Sequence, residues 1–208
     1  ARLRGPEGCP WDREQTHESL KPYVVEEAYE GVEAIDGGQP ATIADELGDL
    51  LLQVLLHAQI ADETGEFDIS DVIRAIASKM VRRHPHVFGD VSVSCAHDVL
   101  VNWEAIKKSE RKKGKTMFEG IPKHMPALQA AQEVQGRAAR VGFDWKDLQP
   151  VLDKVAEEIQ ELKKAQSPNE VQSEMGDLLF ALVNAARHLG VNAEMALRAA
   201  NQKFVERF

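Results

Sequence analysis

The chain contains one long internal repeat. Residues 45–59 read DELGDLLLQVLLHAQ, and residues 173–187 read SEMGDLLFALVNAAR. Three shorter pairs keep the same order in both halves: GCPWD at 8–12 with GFDWK at 142–146, EEAYE at 26–30 with EEIQE at 157–161, and SKMVRRH at 78–84 with NQKFVERF at 201–208. The period is far longer than the roughly 20–50 residues of a solenoid repeat. The pattern therefore predicts one duplicated domain rather than a stack of small units.

The repeat divides the chain into two predicted domains, an N-terminal domain at 1–113 and a C-terminal domain at 127–208. The segment 114–126 between them holds two glycines and two prolines, which is typical of an interdomain linker. The chain opens on Ala1 and stops inside a helical pattern at Phe208. We expect the natural protein to be longer than this sequence.

Both predicted domains are helical. Apolar residues recur with the period of an α-helix, few stretches alternate with period 2, and aromatic residues make up only 6% of the chain. The best-marked helix starts at Ser167, where Pro168 and Glu170 complete a capping box, and stops before Gly190. The fold class is all-α, and the predicted helices lie at about 18–36, 41–63, 70–83, 96–113, 125–140, 147–165, 168–189 and 192–208. A longer break is expected at 84–90.

The second helix of each half carries a narrow acidic stripe. Glu46 and Asp49 lie about 60° apart on one helix face, and most of the other positions between 47 and 56 are apolar. A helix that is apolar nearly all round is buried. Glu174 and Asp177 repeat the arrangement. Glycines stand inside both stripes, at Gly48 and Gly176, and predict close approach by another backbone.

The first helix of each half supplies two more acids. Glu27 and Glu30 share one face, as do Glu158 and Glu161. If the two helices of each half run antiparallel across a short turn, four carboxylates converge. Crowded, partly buried anions must either protonate or bind a cation. Because the ligands are all oxygen, the pattern favours a hard ion, Mg²⁺ or Mn²⁺. The alternative is a solvated charged face, which a single such motif usually is.

Cations repeat after the acids. Lys79 and Arg83 stand four apart in the first half; Lys203 and Arg207 stand four apart in the second, with Asn201 near them. Such a pair is either surface decoration or a phosphate clamp opposite the metal.

Two tryptophans also repeat, Trp11 in the first half and Trp145 in the second. Each is either an aromatic core residue or a platform for a nucleobase or another ring.

Net charge, hydropathy and cysteine content argue against a nucleic-acid-binding, a membrane-spanning or a disulfide-rich protein. The net charge is −9, which weighs against a nucleic-acid partner, and no run of about 18 apolar residues predicts a membrane span. The basic run at 107–115 is interpreted as a solvated helix end and linker, with a phosphate-binding patch as the alternative. Two cysteines without a CxxC motif indicate a reducing, cytoplasmic setting.

The order EExxE followed by ExxD resembles the signature of the MazG family, which are all-α nucleoside triphosphate pyrophosphohydrolases. Here 15 residues separate Glu30 from Glu46, and 12 separate Glu161 from Glu174. Six further stretches look like tandem-domain bacterial members of that family: CPWDREQTHESL, ELGDLLLQV, RRHPHVF, VGFDW, EMGDLLFALVN and NQKFVERF.

The resemblance implies two MazG-like helical domains of four-helix-bundle type, completed by homodimerisation. It implies hydrolysis of a nucleoside triphosphate to a monophosphate and pyrophosphate with Mg²⁺. Metal-ligand roles fall on Glu27, Glu30, Glu46, Asp49, Glu158, Glu161, Glu174 and Asp177.

The remaining site roles follow from this chemistry. A carboxylate such as Glu157 or Glu158 would orient or deprotonate the attacking water. Lys203 and Arg207 would stabilise the leaving pyrophosphate, with Asn201 nearby. An alternative reading makes one half a non-catalytic regulatory or dimerisation module. A di-iron carboxylate bundle would need ExxH on two helices, which neither Glu46 nor Glu174 begins.

Overall fold

A computed structural model describes residues 1–110 and 116–208. The chain divides into two compact units, residues 1–110 and 111–208, here named the N-terminal unit and the C-terminal unit. Residues 111–115 lie outside the described part. They include the end of the basic run at 107–115, the end of the helix predicted at 96–113 and the start of the linker predicted at 114–126.

The described residues contain helices and no strand, which confirms the all-α prediction. The N-terminal unit has a 3-10 helix at Arg2–Arg4, followed by α1 (Pro10–Glu14), α2 (Lys21–Gly37), α3 (Pro40–Thr64), α4 (Ile69–Arg83), α5 (Pro85–Phe88) and α6 (Ala96–Glu110). The C-terminal unit has α7 (Ala127–Ala139), α8 (Leu148–Lys164), α9 (Pro168–His188) and α10 (Ala193–Arg207). None of the described helices has the length and apolar composition that crossing a membrane requires.

All eight predicted helices are present, and each helix end that lies among the described residues is within a few residues of the predicted one. Local signals explain the accuracy. At Ser167 the side chain accepts from the Glu170 backbone and Glu170 reaches back, so the predicted capping box is confirmed. The break predicted at 84–90 contains the one-turn helix α5, which is too short to show a period.

Each unit is built around one helical hairpin. Helix α2 packs along α3, and α8 packs along α9. The connections are only a few residues long, so the paired helices run antiparallel. Gly38 ends α2 with a φ of 69°, a left-handed conformation that glycine adopts without strain. The short turn places the acids of the first helix opposite those of the second.

The buried cores are small. In the N-terminal unit, Leu20, Leu56 and Ile60 form an apolar cluster, and in the C-terminal unit Val151 and Val183 are buried. Much of α3 that was predicted to be buried is open to solvent within this chain; Leu47 is 49% exposed and Leu51 56%.

The outer surface of α9 is similarly open. Leu179 is 45% exposed and Leu182 46%. The close backbone approach predicted at the mid-helix glycines is not made within the described chain, since a Cβ at Gly48 or Gly176 would meet no atom within 4 Å. The exposed apolar surfaces of α3 and α9 could therefore contact another protein subunit.

Helices α4 and α6 are joined by charge. Glu110 Oε1 accepts from Arg82 Nε at 2.6 Å, and its Oε2 accepts from Arg83 Nη2 at 2.6 Å. Arg83 also lies over the Trp103 ring, 5.4 Å from its centroid. The hydrogen bonds from Arg83, and then from Arg82, hold the pKa of Glu110 at about 2.

We expect Glu110→Gln to lower the melting temperature by a few degrees at pH 6 and to lose that effect in acid. Because the folded pKa of Glu110 is depressed, its stabilising contribution is present above the ordinary value of 4.5 and disappears as the pH falls toward 2. Melting curves of both proteins between pH 6 and pH 3 measure this. Glu18→Gln, which removes an exposed pairing with Lys21, is the control. A gap between Glu110→Gln and the parent that stays constant with pH would contradict the prediction.

Candidate active site

Three carboxylates converge in the C-terminal unit. One oxygen each from Glu158, Glu174 and Asp177 lies within 4.8 Å of the others. Glu158 comes from α8, where it is only 5% exposed. Glu174 and Asp177, three residues apart on α9, face it across the hairpin. We name these residues the C-terminal acid cluster.

The N-terminal unit repeats the arrangement. Glu27 on α2 meets Glu46 and Asp49 on α3, again with one oxygen of each within 4.8 Å of the others. We name these residues the N-terminal acid cluster. The two clusters occupy equivalent positions in the repeat, so the faces predicted from the periodicity do bring these acids together.

Glu30 and Glu161 stand just outside the two clusters. Burial, and then the charge of Glu30, raises the pKa of Glu46. Burial, and then the charge of Glu161, raises the pKa of Glu174. In each unit the structure thus gathers three of the four predicted acids tightly and leaves the fourth close enough to repel them. The raised pKa values report crowded negative charge.

Lys154 reaches the C-terminal acid cluster, and the sequence analysis missed it. Its Nζ donates to Glu157 Oε1 at 2.7 Å and lies 2.8 Å from Glu158 Oε1. The hydrogen bonds to Glu157 and then Glu158 raise the pKa of Lys154 above its ordinary value. A lysine three and four residues before two glutamates is a local signal that could have identified it.

A cavity of about 400 Å³ opens beside this cluster. Its apolar wall includes four aromatic side chains, those of Phe118, Phe143, Trp145 and Phe180. Its charged lining residues are Lys154, Glu158 and Asp177, together with Asp144 and Arg187. Apolar walls next to acids and the two cations Lys154 and Arg187 provide space for a molecule that carries both a ring and a metal-bound anion.

The N-terminal unit differs at the matching positions. By the alignment of EEAYE with EEIQE, Tyr23 stands where the C-terminal unit has Lys154. Trp11 packs edge-on against Tyr23, with 5.7 Å between ring centroids. Gln53 Nε2 donates to Glu27 Oε1 at 3.4 Å. A pocket of about 330 Å³ lies against Glu30 and Glu46.

The predicted phosphate-binding residues lie elsewhere. Asn201, Lys203 and Arg207 are exposed on α10 and are not part of the cavity wall. Lys79 is exposed on α4. Arg83 is held by Glu110, with 2.6 Å between Nη2 and Oε2. Within a single chain, these cations are not gathered around the acid clusters.

Two family models match the chain, one in each half. The MazG nucleotide pyrophosphohydrolase domain matches residues 15–88. Phosphoribosyl-ATP pyrophosphohydrolase matches residues 133–204. Each match includes one of the two acid clusters.

Similar proteins align over the whole chain. A Thermotoga maritima protein named nucleoside triphosphate pyrophosphohydrolase/pyrophosphatase MazG is 54% identical over 208 residues, which is 100% of this chain and 80% of that protein. The chain belongs to the MazG family. An Escherichia coli K12 member, named nucleoside triphosphate pyrophosphohydrolase, is 50% identical over 100% of this chain and 82% of its own length. An uncharacterized Bacillus subtilis protein, YabN, is 52% identical over 99% of this chain and 43% of its own length.

MazG membership agrees with the resemblance derived from the acid motifs. Families of nucleotide pyrophosphohydrolases match both halves, so the duplication concerns domains of one chemical kind. The acid clusters and the aromatic cavity are the features of this MazG chain that such chemistry can use.

Proposed function

We propose that the protein hydrolyses nucleoside triphosphates, canonical or aberrant, to nucleoside monophosphates and pyrophosphate, using Mg²⁺ or, as a substitute, Mn²⁺. The observation that carries the proposal is the C-terminal acid cluster beside an aromatic-walled cavity, which Glu158 and Asp177 of the cluster line. The relatives that align with the whole chain are named for this reaction.

The donor set fits a hard divalent cation. Glu158, Glu174 and Asp177 offer only carboxylate oxygens, and the described residues place no thiolate or imidazole in the cluster. Burial and neighbouring acids raise the pKa of Glu174, so the cluster gains most from a cation that relieves the repulsion. These three residues, with Glu161 beside them, would hold Mg²⁺ in the C-terminal unit; Glu27, Glu30, Glu46 and Asp49 would hold it in the N-terminal unit.

When bound, such ions neutralise phosphate charge and make a bound water more acidic. Glu157 or Glu158 takes the proton of the attacking water, whose oxygen bonds to the α-phosphorus as the bond to the bridging oxygen of the β-phosphate breaks. Lys154 sets the position of both carboxylates through its two contacts. Lys203 and Arg207, with Asn201, stabilise the departing pyrophosphate. They reach it from outside the cavity wall, through a partner subunit or a movement of α10.

The aromatic wall suits the base of the nucleotide. Trp145 lines the cavity and offers a ring face for stacking, and Phe118, Phe143 and Phe180 complete an apolar surround. The cluster then faces the phosphates. Of the two readings of Trp145, the cavity favours the platform.

The C-terminal unit is proposed as the main catalytic half. Its cluster has a lysine and a ring-sized cavity, whereas the N-terminal unit has Tyr23 packed on Trp11 at the matching place. Arg83, the N-terminal counterpart of Arg207, is already paired with Glu110, which leaves only Lys79 of the two predicted N-terminal cations for a phosphate contact. The alternative, in which the N-terminal half is a non-catalytic regulatory or dimerisation module, rests on the same differences between the two acid clusters and their surroundings.

The working unit is proposed to be a homodimer. The apolar faces of α3 and α9, defined by Leu47, Leu51, Leu52, Val54, Leu55, Met175, Leu179 and Leu182, are the surfaces that a partner would cover.

We further infer a cytoplasmic protein without a nucleic-acid partner. Cys9 and Cys95 are both free thiols, as a reducing compartment maintains them. The net charge of −9 repels a polyanion.

We expect pyrophosphate release to depend strictly on Mg²⁺ or Mn²⁺. The test measures release from a panel of ribo- and deoxynucleoside triphosphates, before and after exhaustive chelation and after adding back each ion. Chelation should reduce the rate at least about a thousandfold, since carboxylates alone cannot neutralise a triphosphate. Ca²⁺ is the control for charge without the octahedral geometry that Mg²⁺ requires. Full activity after chelation, or no turnover of any triphosphate, would overturn the proposal.

A further inference from the structure

One loop carries two of the aromatic side chains of the cavity. It connects α7 to α8 and contains Phe143 and Trp145, which line the cavity. Little packing holds it in place, because Phe143 is 82% exposed and Trp145 45%. Gly142 enters the loop with a φ of 86°, where a residue with a side chain would be strained. Burial alone is too slight to hold these two rings in position, so another interaction is needed.

Asp144, between the two aromatic residues, is anchored to α9. Its Oδ1 accepts from Arg187 Nη2 at 2.5 Å and from His188 Nε2 at 3.1 Å, and it also accepts from the Trp145 backbone nitrogen at 2.9 Å. The side chains of Asp144 and Arg187 are 22% and 18% exposed. Burial alone would raise the pKa of Asp144, but the hydrogen bonds from Arg187 and His188 outweigh it and lower that pKa.

Arg187 is itself held in place. Its Nε and Nη2 donate to Asn184 Oδ1 at 3.1 and 2.7 Å, and Asn184 is only 5% exposed. The anchor is therefore part of the rigid helix α9, which also carries Glu174 and Asp177. The ion pair links the aromatic wall directly to the helix of the acid cluster.

The N-terminal unit uses the same device with the charges exchanged. There the arginine precedes the tryptophan segment: Arg4 Nη2 pairs with Glu63 of α3 at 2.8 Å. The Arg4 side chain also donates to the carbonyl oxygens of Asp12, which lies with Trp11 in helix α1, and of Gln15, which follows that helix. Unrelated residues thus make one arginine–carboxylate clasp between the tryptophan segment and the second hairpin helix in each half. Because different residues make a similar ion pair in each half, both halves have a use for fixing the tryptophan segment to the second hairpin helix.

We propose that Asp144 and Arg187 are positioning residues that hold the Phe143–Trp145 wall in place for the nucleotide base. This rests on the proposed function of the same cavity. Neither residue takes part in the chemistry. Without the clasp the loop samples open positions, and binding must select the closed one. If the loop is closed about a tenth of the time, the apparent affinity falls about tenfold.

The test compares Asp144→Ala and Arg187→Ala with the parent protein in steady-state hydrolysis of ATP with Mg²⁺. We expect KM to rise about tenfold while kcat stays within about twofold, because the loss acts on binding before the chemical step. Binding of α,β-methylene-ATP, measured by calorimetry, should weaken by the same factor. Asp144→Asn, which keeps an acceptor but loses the charge, should fall between. It also serves if the alanine variant does not fold.

Two further variants separate positioning from direct contact. The charge exchange Asp144→Arg with Arg187→Asp recreates the polarity of the N-terminal clasp and should bring KM back to within about threefold of the parent. Asp147→Asn removes a negative charge from the same loop, where the side chain makes no capping bond, and should leave KM unchanged.

Several results would overturn the proposal: an unchanged KM in Asp144→Ala and Arg187→Ala, a fall in kcat alone, or no recovery in the charge exchange, which would mean that the two residues touch the nucleotide directly. A parent protein that binds the analogue but releases no pyrophosphate from ATP would defeat the proposed function. The clasp would then be tested by calorimetry alone, as the loss of analogue affinity in Asp144→Ala and Arg187→Ala. A parent protein that does not bind the analogue would overturn both.

Discussion

Glu174→Gln or Asp177→Asn should abolish nucleoside triphosphate hydrolysis while the fold stays intact. Both side chains belong to the C-terminal acid cluster, and each would lose an oxygen ligand with full negative charge. The expected fall in rate is at least about a thousandfold, or about 4 kcal/mol of transition-state stabilisation. Pyrophosphate release at saturating Mg²⁺ measures it.

The stability of these variants should move in the opposite direction. Burial, and then Glu161 and Asp177, raises the pKa of Glu174, so ionised Glu174 opposes folding in the metal-free protein. Because that folded pKa is raised, the metal-free parent gains stability as the pH falls through it, and Glu174→Gln should not. Conversely, Mg²⁺ should raise the melting temperature of the parent more than that of the variant.

Matched changes show which acids matter. Glu46→Gln and Asp49→Asn make the same alteration in the N-terminal acid cluster, and a null effect there would mark that half as regulatory or structural. Asp153→Asn removes an exposed acid of α8 that is bonded to Gln149, and should leave activity unchanged. If Glu174→Gln unfolds but its folded fraction keeps normal specific activity, the cluster is structural.

Charging the apolar faces should separate the proposed dimer and remove activity with it. Leu51 on α3 and Leu179 on α9 are 56% and 45% exposed in the single chain. A lysine or glutamate at either position would be buried without a partner in the dimer, at a cost of several kcal/mol. Since α3 and α9 also carry the acid clusters, loss of the interface frees the helices that hold the metal ligands.

Sedimentation at low micromolar concentration, together with the pyrophosphate assay, measures both effects. Leu100→Lys places a charge at an apolar residue of α6, 64% exposed and outside the proposed faces, and should remain dimeric and active. An active parent protein that sediments as a 23.1 kDa monomer would defeat the dimer. So would Leu51→Lys and Leu179→Glu variants that stay associated.

The helices and the acid faces were predictable from the sequence. Helix ends depend on local signals such as the capping box at Ser167, and those signals lie within a few residues of the end that they determine. Glu174 and Asp177 share a face because three residues nearly complete a helical turn. The internal repeat strengthened the prediction of the acid clusters, because each motif appears twice and in the same order in both halves. The roles of these acids stay predictions.

The cation predictions relied on spacing alone, and spacing does not identify a partner. Arg83 was grouped with Lys79 because they stand four apart, yet its closest contact is Glu110, which is 27 residues away in the sequence. Lys154 was overlooked although it stands next to the acids along the helix. A side chain with several rotatable bonds reaches more than one neighbour, and packing selects among them.

By itself, the sequence determined the all-α class, the duplication, the helix boundaries and the acids that meet across each hairpin. All of these follow from short-range periodicity and from a turn too short to allow another pairing. The tertiary structure alone decided the cavity, its aromatic wall and the clasp between Asp144 and Arg187, which are 43 residues apart. These contacts depend on how three helices and a loop pack together. A local sequence pattern does not show which residues 43 positions apart will meet.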